Sequence, residues 1–166
     1  LILAGGGIRA ARACSLFRAL VECTGVPVVN SLMAVDALPA GHPQRVGLIG
    51  TYGNRWANLA LARSDMLLVL GSRLDIRQTG SDVEAFRAGR TIYHVDCDAG
   101  EINNRVPSCR AIVAHLAAFL EQAARRAREL AFPGRGEWLA EIDALRSAWP
   151  DTAELAGTPG INPNAF

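Results

Sequence analysis

The segment Gly71-Ser72-Arg73-Leu74-Asp75-Ile76-Arg77-Gln78-Thr79-Gly80 gathers the side chains best suited to holding an anion. Arginine presents paired N–H donors that fork a phosphate or a carboxylate, and Arg73 and Arg77 stand four residues apart with Asp75 between them. The segment follows directly on Met66-Leu67-Leu68-Val69-Leu70, a continuous apolar run that reads as a buried strand. Ligands of open parallel sheets bind at the carboxyl ends of the strands. The loop is therefore read as an anion site, and the competing reading of the same residues is a surface salt-bridge cluster of little energetic weight.

Other segments invite similar pairs of readings. Gly5-Gly6-Gly7 lies between the apolar run Leu1-Ile2-Leu3-Ala4 and a stretch of helical spacing. Its glycines either admit a ligand to the backbone, with a helix N-terminus behind them favouring an anion, or make a tight turn that needs positive φ. The dinucleotide pattern G-x-G-x-x-G is incomplete, because Ala10 takes the last glycine position and no acidic residue ends the second strand. Gly47-Leu48-Ile49-Gly50-Thr51-Tyr52-Gly53 either covers special backbone angles or packs against a flat ligand. At the end of another apolar run, Asp96 and Asp98, close to His94, either accept hydrogen bonds from a ribose or cap the following turn and a helix around Glu101. No G-x-S-x-G, H-E-x-x-H or P-loop occurs, and His42, His94 and His115 have no partner by spacing. On residues alone, this is a binding domain without catalytic machinery of its own.

The elements that must position these residues alternate. Strand signals fall at Leu1–Ala4, Val26–Asn30, Met66–Leu70 and Thr91–Asp96, with a weaker one at Cys109–Val113. Helical spacing places Ala13, Leu16, Phe17, Leu20 and Val21 on one face, stopped by Thr24-Gly25. Further helices are predicted over Asn54–Arg63, Ala114–Leu130 and Glu137–Trp149, while 37–53 reads as a loop rich in Gly and Pro. The predicted fold is α/β, a Rossmann-like open parallel sheet of about five to six strands with helices on both faces. Residues 1–132 form the central α/β domain, 133–149 its C-terminal helix and 150–166 a linker.

Composition narrows the function classes. A chain of 166 residues, 50% hydrophobic, can bury the core of one domain. Its 17 basic residues, all arginine, nearly balance 16 acidic ones with no long run of either sign, which argues against nucleic acid or a membrane surface as partner. No apolar stretch approaches the ~20 residues that span a bilayer, and no signal-peptide pattern opens the chain. The start inside a strand suggests excision from a longer protein. Cys14, Cys23, Cys97 and Cys109 lack C-x-x-C spacing, which argues against zinc and for scattered core thiols in a reducing cytoplasm.

Taken in order, these segments resemble the central domain of thiamine-diphosphate-dependent enzymes, the acetolactate synthase group in particular. The resemblance runs from Leu1 to about Leu120 and rests on Gly5-Gly6-Gly7, Asn30-Ser31-Leu32-Met33 with Leu38-Pro39, Gly47 to Gly53, Asn58-x-Ala60 with Ser64-Asp65, Gly71 to Gly80, and His94-Val95-Asp96-x-Asp98-x-x-Glu101-Ile102. Ile161-Asn162-Pro163 resembles the entry into the family's third domain. The resemblance implies a three-domain enzyme acting on a 2-oxo acid by decarboxylation and acyl transfer, with thiamine diphosphate and Mg2+ held by flanking domains and a homodimer or homotetramer as assembly. It implies no catalytic or metal-binding residue in this domain. Central domains of the family hold FAD, hold an adenine nucleotide, or serve as ligand-free scaffold. Carried over by motif, flavin contacts fall on Gly5, Gly6, Gly7, Ser31, Leu32, Gly50, Gly53, Gly71, Arg73, Asp75, Arg77, Asp96 and Cys97. Two positions depart from the flavin-binding pattern: Tyr52-Gly53 replaces His-Gly, and Ala114-His115 replaces a Gly-Asp pair that would supply an acceptor near the adenosine half. A stand-alone nucleotide-binding module of sirtuin-like or Rossmann type is the alternative.

Overall fold

Short apolar runs set the sheet. In the computed structural model, which describes residues 1–152 with Gly157, Pro159 and Gly160, the strands are β1 (Ile2–Ala4), β2 (Val28–Asn30), β3 (Arg45–Leu48), β4 (Met66–Leu70), β5 (Thr91–Asp96) and β6 (Arg110–Val113). They pair in the order β3-β2-β1-β4-β5-β6, every pair parallel. The predicted α/β class is borne out, with six strands. The helices are α1 (Gly7–Ala10), α2 (Cys14–Thr24), α3 (Arg55–Arg63), α4 (Ile76–Thr79), α5 (Val83–Arg87), α6 (Leu116–Glu129) and α7 (Gly136–Ala148).

Strands buried on both faces need cover on both. Leu3, Val29, Val69 and Ile92 share one core cluster with residues of α3, α5 and α7. Ile2, Ala4, Val28, Leu70 and Val95 share the other with α2 and α6. Gly25, at φ 62°, ends α2 where Thr24-Gly25 predicts a stop, and its N–H donates to Val21 O at 2.8 Å. Arg63 of α3 meets Glu141 of α7 at 2.6 Å.

Several expectations need correction. Residues 45–48, read as loop, form the edge strand β3. Arg45 and Gly47 break its apolar pattern, and a register shift between Val28 and Val29 interrupts its pairing. Side chains engage its backbone instead: Trp56 Nε1 donates to Val46 O at 2.8 Å, and Arg146 Nη2 reaches Arg45 O and Val46 O at 3.2 and 3.3 Å. The helix behind the first glycines is the four-residue α1, broken at Arg12, which has φ 53°. Two short helices, α4 and α5, make the crossover from β4 to β5, and turns occupy the place of the helix expected around Glu101. Cys97 is exposed, Cys14 and Cys23 are half-buried and only Cys109 is fully buried, so the thiols are not uniformly core residues. Of the expected linker, 153–156, 158 and 161–166 lie outside the described residues, Ile161-Asn162-Pro163 among them.

The strand order reverses direction between β1 and β4, and there two loops touch backbone to backbone. Gly5 N–H donates to Leu70 O at 2.9 Å and Gly7 N–H to Gly71 O at 3.0 Å. A Cβ on Gly5 would lie 2.1 Å from Gly71 O, and one on Gly7 would lie 2.8 Å from Gly71 Cα. Gly5, Gly6 and Gly7 do not adopt positive φ, so close approach, not a left-handed turn, is what requires glycine here. Below the Gly71 loop lies His94, 1% exposed, whose Nε2 donates to Ser72 O at 2.8 Å while Nδ1 has no partner among the described residues.

Gly5→Ala should therefore destabilise the fold by about 3 kcal/mol or more through overpacking against backbone. Gly134→Ala, with nothing within 4 Å of its Cβ, should stay within ~0.5 kcal/mol. Urea denaturation of both variants checks this. Burial holds the His94 imidazole below its usual 6.5, opposed by its bond to Ser72 and by the charges of Asp96 and Glu101. The unfolded chain then takes up the proton first as pH falls. Its contribution is complete above 6.5 and is lost as pH drops through the lowered folded value. Unfolding free energy measured against pH should decline from about 6.5 down to that lowered value and level off below it, and His94→Gln, which keeps a donor for Ser72 O, should flatten the decline.

Candidate functional site

Every residue carried over from the family motif sits at the carboxyl edge of the sheet, although the set extends along most of that edge. Gly5 to Gly7 follow β1, Ser31 and Leu32 follow β2, Gly50 and Gly53 follow β3, the Gly71 to Arg77 stretch follows β4, and Asp96 and Cys97 close β5. Ser31, Leu32, Tyr52, Arg73, Asp75 and Arg77 come together around one cleft of about 240 Å³. Asp96 and Cys97 are not among its lining residues, and neither are Gly5 to Gly7.

The glycines after β3 are engaged in packing. Gly50 has φ 95°, and a Cβ there would meet Arg77 O at 2.2 Å; one on Gly53 would meet Leu48 O at 2.4 Å. Thr51 N–H donates to Arg77 O at 2.8 Å, while the Asn58 amide brackets Gly50 with bonds of 2.8 and 3.1 Å. This rim therefore leans on the arginine loop. Gly50 follows the backbone-angle reading of its segment, since its φ of 95° accompanies a close approach to the chain itself.

The loop after β4 is ordered by its own polar side chains. Leu74, at φ 53° and 1% exposed, plugs into the core. Asp75 caps α4 by accepting Arg77 N–H at 2.8 Å, and its other oxygen accepts Gln78 Nε2 at 3.3 Å. Ser72 Oγ donates to Gln78 Oε1 at 2.6 Å. The salt-bridge reading does not hold: Asp75 is committed to these N–H groups, and among the described residues Arg73 and Arg77 form no ion pair. Both arginines are exposed at the cleft. Beside them lie Leu32, Met33 and Tyr52, with exposures of 65, 69 and 80%. The site thus offers two guanidinium groups, unpaired among the described residues, next to an apolar ledge.

At the other end of the edge, Asp96 Oδ1 accepts Asp98 N–H at 3.0 Å and Asp98 Oδ1 accepts Gly100 N–H at 2.8 Å, the turn-capping arrangement. His115 stands at the N-cap of α6 without a side-chain cap bond, and the first turn of that helix has no acidic residue. Among the described residues, no group of three His, Cys, Asp or Glu side chains gathers as metal ligands. Sequence reasoning missed Met33 and Gln78, both at the cleft. Gln78 carried a usable signal, being three residues beyond Asp75 within the same motif.

The thiamine pyrophosphate enzyme central-domain family matches residues 1–123. Acetolactate synthase of Mycobacterium leprae is 36% identical over 149 residues, which are 88% of this chain and 24% of that protein. The acetolactate synthase large subunit of Corynebacterium glutamicum is 35% identical over 153 residues, with 88% of this chain and 24% of that protein covered. The large subunit of Lactococcus lactis subsp. lactis is 35% identical over 121 residues, 73% of this chain and 21% of that protein. The chain thus spans about a quarter of the length of the first two relatives. An open six-stranded parallel sheet with this sequence match identifies the chain as a central domain of the thiamine pyrophosphate enzyme family, similar to that of acetolactate synthases.

Proposed function

We propose that the chain is the nucleotide-binding central domain of an enzyme that decarboxylates a 2-oxo acid and transfers the resulting acyl group. Thiamine diphosphate with Mg2+ would supply that chemistry. Flanking domains of the same polypeptide would hold them, in a cytoplasmic homodimer or homotetramer. This domain's own ligand is FAD or an adenine nucleotide, lying along the carboxyl edge. The observation that carries the reading is the pair Arg73 and Arg77, exposed, without acidic partners among the described residues, beside a ledge of Leu32, Met33 and Tyr52. Phosphates pair with guanidinium groups through charge-assisted, often bidentate hydrogen bonds, and a planar ring covers exposed apolar surface. Residues on hand for the two halves are Arg73 and Arg77 for the diphosphate and Ser31, Leu32 and Tyr52 for the ring. Asp96 keeps an acceptor oxygen for a ribose.

A second reading, a ligand-free scaffold, draws on a different observation. The Gly5 to Gly7 segment is packed against Gly71, and Ala114-His115 lacks the acidic acceptor. Calorimetry on the chain separates the readings: ADP or FAD binds under the first and neither binds under the second.

Arg73→Ala and Arg77→Ala should each weaken ADP binding about tenfold, the loss of one charged hydrogen bond or slightly less. Stability should change by no more than ~0.5 kcal/mol, since both side chains are at the surface. Equal affinities with a collapsed melting temperature would make the arginines structural. The chain alone, given thiamine diphosphate, Mg2+ and pyruvate, should release no carbon dioxide and show no thiamine diphosphate binding by calorimetry; tight binding would mean that the catalytic cofactor belongs here.

A further inference from the structure

The arginine loop is held at both ends by residues of β5 and the turns that follow it. At its start, His94 donates to Ser72 O. At its end, Arg105 reaches across: Nε donates to Thr79 Oγ1 at 3.0 Å and Nη2 to Gly80 O at 2.7 Å. The Thr79 hydroxyl in turn donates to Asp75 O at 3.1 Å, and Asp75 caps α4. Arg105 is itself carried on a closed loop. Asn103 Nδ2 donates to Cys109 O at 3.2 Å, Cys109 N–H donates to Asn103 Oδ1 at 2.6 Å, and Ile102, Val106 and Cys109 are buried around it.

The helix that Arg105 holds is weak on its own. α4 is four residues long, and a helix of one turn does not persist in water without outside support. Asp75 supports its first turn and the Arg105 cation its last, where the helix dipole favours positive charge. Arg77 projects from between these two anchors, and its carbonyl holds Thr51 of the β3 rim.

We infer that Arg105 is a positioning residue for phosphate recognition at the carboxyl edge, acting through Thr79 and Gly80 to fix the direction of Arg77. The inference rests on the nucleotide-binding reading above. Without Arg105, the end of α4 frays into water and the Arg77 guanidinium samples more orientations, so the loss falls on the phosphates of a ligand and not on its base.

The test compares ADP with adenosine on the 166-residue chain by calorimetry. Arg105→Gln should raise the Kd for ADP about tenfold, equivalent to ~1.4 kcal/mol, and that for adenosine by less than about twofold. Arg105→Lys keeps the charge but reaches one acceptor at a time, so its ADP affinity should stay at least about threefold below that of the unmodified chain. Amide exchange at Gln78, Thr79 and Gly80 should quicken in both variants, while that of β4 should not change. An unchanged ratio of ADP to adenosine affinity, full rescue by lysine, or unaltered exchange in α4 would each overturn the inference. No ADP binding by the unmodified chain overturns this inference, and if FAD does not bind either, the nucleotide reading is overturned as well; normal ADP binding with an insensitive Arg105→Gln overturns this inference alone.

Discussion

The tightest constraint in the molecule is the backbone contact between the loop after β1 and the loop after β4. Gly5 and Gly71 leave no room for a side chain on the first, and Gly71 in its left-handed conformation also lies against Gly7 and Leu116. The contact places neighbouring strands where the chain order jumps from β1 to β4, the position at which open α/β sheets place their ligands. Here, however, the seam is filled by the protein itself. A ligand can lie over these glycines but has no gap between them to enter. On the nucleotide-binding reading, recognition would thereby be displaced outward, onto side chains that rise above the seam.

The side chains above the seam divide into two groups. Ser72, Asp75, Gln78 and Thr79 use their polar atoms on one another and on local backbone groups. Arg73 and Arg77 do not. Pairing them at the surface would stabilise the fold by only ~0–1 kcal/mol, so leaving them open costs the fold little. What the loop gains is rigidity: the guanidinium groups are mounted on a backbone already fixed by its neighbours, which would lower the ordering cost of binding an anion. Gly50 and Thr51 add a second support by seating the β3 rim against Arg77 O.

Much of this organisation is legible in the sequence, and the exceptions have physical causes. β4 and β5 emerge as continuous apolar runs because they are covered on both faces, whereas β3 hides behind Arg45 and Gly47 because an edge strand pairs on one side and is capped by Trp56 and Arg146 on the other. The break between α1 and α2 depends on Arg12 at positive φ, and no residue type announces it. At the site, residue types and spacing single out the arginine loop as the candidate place for an anion. They do not distinguish an ion cluster from an open pair, because that depends on whether Asp75 faces the arginines or the N–H groups of its own helix. The roles of His94 and Arg105 are invisible for another reason: they act on residues 22 and 26 positions away, with no motif to link them.

The carboxyl edge is rich in donors and poor in open acceptors. Asp75, Asp96 and Asp98 each accept backbone N–H groups, while Arg73 and Arg77 point outward and the N-terminus of α6 has neither an acidic residue in its first turn nor a side-chain cap. A carboxylate has about four lone-pair positions, so Asp96, whose Oδ1 accepts Asp98 N–H, can still receive a ribose hydroxyl at Oδ2. Replacement of the Gly-Asp pair by Ala114-His115 removes the second acceptor that the flavin-binding pattern would provide. The complement of such an edge is a molecule whose negative charge outweighs its hydroxyl groups. On the nucleotide-binding reading proposed above, the phosphate half of the ligand, not its sugar, would therefore take the larger share of recognition.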